Sequence, residues 1–156
     1  MPALPFEAIE RRNREASRIM NMNLTVSFPG GKKVDVAFGG HTVHTDQPAS
    51  GGGEDTAPAP YDLFLASIAS CAGIYVVGFC QNRGVDPSLV RLQQRVEFDP
   101  ETHLASKIDL DLELAPGFPE KYVQALVRVV DQCKVKKSMA APPVFSVNTL
   151  PAPVQD

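Results

Sequence analysis

The chain has 156 residues, is 44% hydrophobic and carries a formal net charge of −3. That is enough apolar material for one domain with a real core. Charges of both signs are mixed along it, so there is no basic face of the kind that binds nucleic acid.

The first twenty residues hold Glu7, Glu10, Arg11, Arg12, Arg14, Glu15 and Arg18 without an apolar core segment. They do not read as a secretory signal, which points to the cytoplasm, where thiols stay reduced. Residues 5–20 read as a short amphipathic helix, so residues 1–21 form an N-terminal arm. In the next stretch Leu24, Val26 and Phe28 alternate with polar residues, Pro29-Gly30-Gly31 turns, and Val34, Val36 and Phe38 alternate again. That is a β-hairpin. Residues 41–45 add a short strand. Residues 46–60 form a Gly/Pro/Ala loop of a length that is uncommon unless functional.

A helix is expected over Tyr61–Arg83, with Pro60 at its start and Gly84 at its C-cap. From Leu63 to Cys80 it carries no charge. That length meets the threshold for a membrane span. Ser67, Ser70, Gly73 and Gly78 interrupt it, and no aromatic belt flanks it, so a buried soluble helix is the better reading. A helix apolar on all sides needs cover on both faces, and a second copy of the chain is the simplest source. Two alternating strands follow, Val90–Phe98 and His103–Leu114, joined by Asp99-Pro100-Glu101-Thr102. A second helix is expected from Pro119 to Lys137, with Tyr122, Leu126, Val129, Val130 and Cys133 on one stripe. Ala141-Pro142-Pro143 ends it. Val144–Leu150 reads as a final strand and residues 151–156 as a tail. The order β-β-β-α-β-β-α-β, with hairpin neighbours, describes an α+β fold with antiparallel sheets over residues 22–150.

Three cysteines is an odd number, which argues against a purely structural disulfide framework. Cys71 lies mid-helix among Ala69, Ser70, Ala72 and Gly73, which leave room for approach to its sulfur. Cys80, nine residues on, points to the opposite side. Cys133 shares the core from another helix and could meet Cys71 there. Free cysteines often simply pack. Even so, two on separate elements facing one core fit a peroxidatic and resolving pair better than a structural bridge. The histidines and cysteines lack metal-site spacing, and Gly51-Gly52-Gly53 leads into Glu54-Asp55, which would repel phosphate. No metal or cofactor is expected.

The segment Ala59-Pro60-Tyr61-Asp62-Leu63-Phe64-Leu65-Ala66-Ser67-Ile68-Ala69-Ser70-Cys71 closely resembles the central-helix signature of the OsmC/Ohr family, with the same Pro-to-Cys distance of eleven. Cys133 stands where that family keeps its second cysteine. The resemblance implies an OsmC-like fold and an intertwined homodimer, whose sheets pack around long central helices. It also implies thiol-dependent reduction of organic hydroperoxides by Cys71 and Cys133. A dithiol donor, a lipoyl protein or thioredoxin, would restore the thiols. Peroxidase members place a glutamate ten residues before the cysteine, working with a hairpin arginine. Here Tyr61 takes the first position, Asp62 follows it, and Lys32 lies near the second. Asp62 is nine residues from Cys71, about 13–14 Å along a regular helix. It does not activate that thiol directly. Tyr61 beside an acid resembles the broader OsmC-like subgroup. The alternatives are therefore a non-catalytic binder of a small hydrophobic ligand, or a thiol redox sensor.

Overall fold

The computed structural model describes residues 22–151. The expected helix over 5–20 lies outside them. Two compact units divide at Pro60.

The N-terminal unit is a three-stranded antiparallel sheet in the order β1 (Thr25–Gly30), β2 (Lys33–Phe38), β3 (His41–Thr45). Val36 is the Cα partner of Val26 on one side and of Val43 on the other. The alternation that predicts the hairpin is real, but this sheet buries little. Every β1 residue is exposed. What the unit buries is polar: Thr45 and Asp46. The Thr45 hydroxyl donates to the Val34 carbonyl at 2.7 Å. The Asp46 carboxylate accepts from the Gln47, Glu54 and Thr56 backbone N–H groups and from the Thr56 hydroxyl, at 2.8 to 3.1 Å. Desolvation opposes its ionisation, but the Thr56, Gln47 and Glu54 hydrogen bonds outweigh it and lower its pKa to about 2. This one side chain organises the Gly-rich loop. Gly53 is required there, because a Cβ would stand 1.9 Å from the Gln47 carbonyl oxygen.

The C-terminal unit is built on α1, Pro60–Gln81. Its boundaries agree with expectation to within end fraying. Leu65, Ile68, Ala72, Val76, Phe79 and Cys80 form its buried stripe, while Ile74 on the far side is 72% exposed. The single chain thus covers one stripe of a helix that is apolar nearly all round. The Val85 N–H bonds to the Cys80 carbonyl and the Gly84 N–H to that of Gln81, closing the helix at a left-handed Gly84 with φ 64°. By length and composition α1 could cross a membrane, yet it forms the centre of this unit's core.

β4 (Val90–Phe98) and β5 (Ala105–Leu114) pair antiparallel, with Val90, Leu92 and Val96 opposite Leu114, Leu112 and Ile108. Leu92, Leu110, Leu112 and Leu114 pack on the helix core, which Leu126 and Val130 complete. On the wet face Arg95 and Lys107 bridge Asp109, Asp111 and Glu97.

Two expectations are corrected. The second helix is not continuous from Pro119 to Lys137. A single 3-10 turn precedes α2 (Val123–Val130), and α3 (Lys134–Ala140) begins anew. The break comes where the Gln132 N–H bonds to Val129, three residues back, and Cys133 adopts ψ 124°, which no α-helix allows. Val144–Leu150 is not a strand in the single chain. It pairs with no strand edge among the described residues.

Candidate functional site

Cys71 stands mid-way along α1, on the flank of the buried stripe, and is half-buried. The small residues around it leave its sulfur approachable. Cys133 arrives from the break between α2 and α3 and is fully buried. An uninterrupted helix would carry the chain past this point. The extended Cys133 conformation instead directs the thiol inward before α3 starts. Its sulfur lies 4.0 Å from the carbonyl oxygen of Ile68, just under one turn before Cys71. The two cysteines are therefore brought together from elements far apart in sequence.

The pair is electrostatically unequal. The Cys71 pKa is lowered, first by a hydrogen bond from the Cys133 thiol, then by the Val135 backbone N–H. Burial opposes this, while the Lys134 N–H and ammonium add to it. The Cys133 pKa is raised, chiefly by burial and then by the bond to Cys71. Of the two, Cys71 is the sulfur that ionises more readily, with the Cys133 thiol donating to it. The backbone donors exist because α3 starts here and its first N–H groups have no partner within the helix. Sequence reasoning missed them: Lys134 reads as closing one long helix rather than opening a short one.

Tyr61 and Asp62 occupy the first turn of α1, remote from Cys71 along the helix axis. The Tyr61 hydroxyl accepts the Ala105 N–H at 2.9 Å, and its ring stacks on Phe64 at 5.7 Å. It ties the start of α1 to the start of β5. Lys32 sits in the β1–β2 turn of the N-terminal unit and is exposed. Cys80 is fully buried within the core cluster, and burial raises its pKa. It is a packed thiol. Among the described residues no cluster of His, Cys, Asp or Glu could hold a metal ion.

A groove of about 800 Å3 runs along β5 from Ala105 to Leu112, with Ile68, Val127, Val130 and Met139 facing that strand. Ile68, which lines it, is also the residue whose carbonyl lies against Cys133.

Comparison with known proteins bears on the fold and the family. No curated protein matches the chain. Several solved structures share its fold. A Psychrobacter arcticus protein described in terms of osmotic stress and detoxification response is 18% identical, with TM-score 0.65, over 78% of this chain and 90% of its own. An OsmC-like protein from Mycoplasma pneumoniae is 10% identical, with TM-score 0.61, over 80% and 90%. A Legionella pneumophila organic hydroperoxide resistance protein OsmC is 18% identical, with TM-score 0.51, over 79% and 91%. At these identities the likeness is one of fold. The family model for OsmC-like protein matches residues 52–148, well over half of the chain and inclusive of both Cys71 and Cys133. The chain belongs to the OsmC-like protein family.

Proposed function

We propose that this protein is a thiol peroxidase for organic hydroperoxides, with Cys71 as the attacking and Cys133 as the resolving residue. The observation that carries this reading is the unequal pair: a half-buried sulfur beside a fully buried thiol that donates to it and lowers its pKa. The Cys71 thiolate attacks the terminal oxygen of ROOH, and the O–O bond breaks. The sulfur is oxidised to the sulfenic acid, and the alkoxide leaves as ROH after taking a proton. The Cys133 sulfur then displaces that hydroxyl as water and forms the Cys71–Cys133 disulfide. Two electrons from a dithiol, on a lipoyl protein or thioredoxin, restore both thiols. The apolar surroundings favour alkyl hydroperoxides over hydrogen peroxide. The name of the Legionella structure, an organic hydroperoxide resistance protein, supports the same substrate class.

On this reading Tyr61 and Asp62 act indirectly, by fixing the start of α1. Lys32 is the cation taken for the family's hairpin arginine. The protein works as a cytoplasmic homodimer, supported by the apolar surface that one chain leaves uncovered: Ile74 at 72% and Phe28 at 79% exposure, one in each unit. A non-catalytic binder of a small hydrophobic ligand is the second reading. It draws on the groove beside β5.

Mixing the reduced protein with cumene hydroperoxide and counting thiols distinguishes them. The peroxidase loses two thiols per chain rapidly, mass spectrometry finds a Cys71–Cys133 link, and Cys71→Ser neither forms the link nor turns over. Persistence of both thiols through many equivalents of peroxide sinks the catalytic reading.

A further inference from the structure

α3 carries three lysines, and two of them are committed. The Lys136 ammonium bridges Asp131 at 2.6 Å, and that of Lys137 donates to the Gln132 amide oxygen at 2.7 Å. Both reach back to the break that follows α2. Lys134 is exposed, and its ammonium makes no ion pair among the described residues. It is nonetheless the lysine that adjoins the cysteine pair. Cys133 is the N-cap of α3 and Lys134 its first residue. The extended Cys133 turns its thiol inward and sets Lys134 next on the chain, with the Lys134 N–H toward the Cys71 sulfur.

The other charges of this unit are engaged elsewhere. α1 holds no charged residue beyond Asp62, in its first turn. Those of β4 and β5 pair with one another on the wet face: Arg91 with Glu113, Arg95 with Asp109 and Asp111, Lys107 with Glu97 and Asp109. A four-carbon stem on a residue whose N–H meets Cys71 keeps the ammonium within reach of that half-buried sulfur. Beside a protein surface, a cation and an anion attract each other more strongly than in bulk water. The Lys134 charge is accordingly one of the influences that lower the Cys71 pKa.

We propose that the Lys134 ammonium is the charge partner of Cys71: it favours the anion of the attacking sulfur and pairs with the alkoxide that leaves when the O–O bond breaks. The sulfur gives an electron pair to the terminal oxygen. The alkoxide leaves with the pair of the broken bond and takes its proton from water, so Lys134 keeps its own. This rests on the peroxidase reading, and adds to the hairpin Lys32 a cation from the unit that holds the cysteines.

Three variants of the full chain test it: Lys134→Gln, Lys134→Arg and, as a control at a committed cation of the same helix, Lys137→Gln. Mass-resolved iodoacetamide alkylation against pH reads the ionisation of Cys71. Stopped-flow thiol loss with cumene hydroperoxide reads the attack. Lys134→Gln should move the Cys71 midpoint up and slow the attack about threefold to tenfold near neutral pH in low salt, with the difference shrinking in about 1 M salt. Lys134→Arg should keep both near wild type, and Lys137→Gln should change neither. Above both midpoints, where the sulfur is an anion in each protein, part of the slowing should persist. An unchanged midpoint and rate in Lys134→Gln, or an arginine variant as slow as the glutamine one, overturns the proposal. Slowing that vanishes above both midpoints overturns the pairing with the alkoxide. A wild type that consumes no peroxide sinks the peroxidase reading instead, while the alkylation midpoints still judge the action of Lys134 on Cys71.

Discussion

The two units of the chain are held by different physics. The C-terminal unit buries Ile68, Ala72, Val76, Phe79, Leu126 and Val130 in a contiguous apolar core. The N-terminal unit buries a carboxylate and a hydroxyl, and leaves Leu24, Val26 and Phe28 between 48% and 79% exposed. The lesson concerns what each can tolerate. A packed core resists loss of volume according to how well its neighbours collapse. A loop organised by one acceptor depends on that group's charge and on the backbone's closest approach. The Cys71–Cys133 pair lies in the unit with the packed core, which is what holding two sulfurs together requires.

Substitutions in each unit break the comparison in different ways. The largest effect falls on the core. Leu126→Ala empties a fully buried site between α2 and α1. It should cost about 2–5 kcal/mol in denaturant unfolding of the C-terminal unit. Gly53→Ala comes next, at about 1–3 kcal/mol or more, since the new methyl meets a backbone oxygen. Hydrogen exchange should show that loss confined to the loop and β3, with protection in β4 and β5 unchanged. Uniform loss across both units would mean they do not unfold separately.

Acid provides a gentler probe of the same contrast. The Asp46 carboxyl is held at about 2, below its ordinary 3.8. Its contribution is therefore fully present above the ordinary value and fades as pH falls toward about 2. The loop at 46–56 should lose amide protection in that window, and Asp46→Asn should show the loss already at neutral pH. Protection in wild type that does not change down to pH 2 would contradict the role given to this carboxylate.

How much was legible beforehand follows from the range of each determinant. β4 and β5 are plain in the sequence because Ile108, Leu110 and Leu112 alternate with Asp109 and Asp111, a signal contained in the strand itself. The helix carrying Cys71 is plain for the same reason. The break before Cys133 is not, because the stripe Leu126, Val129, Val130, Cys133 continues smoothly across it while the backbone does not. Val144–Leu150 has a strand's composition, but pairing is a property of two segments, and in the single chain it pairs with none of the described strands. Asp46 is one acid in a Gly-rich loop, and its burial depends on the Thr56 backbone and hydroxyl ten residues away. The two cysteines could be singled out from spacing and resemblance. The source of the Cys71 shift could not, since it depends on where α3 begins.

The central claim is that the Cys71 pKa is lowered because Cys133 donates to it. Mass-resolved iodoacetamide alkylation across pH 5 to 10 measures that directly. Cys71 should react with a midpoint below that of an ordinary thiol, and Cys133 above it. Cys133→Ala removes the largest influence and should move the Cys71 midpoint up. Cys133→Ser keeps a donor and should move it less. Equal midpoints for the two cysteines in wild type, or a Cys71 midpoint unmoved by Cys133→Ala, would contradict the account.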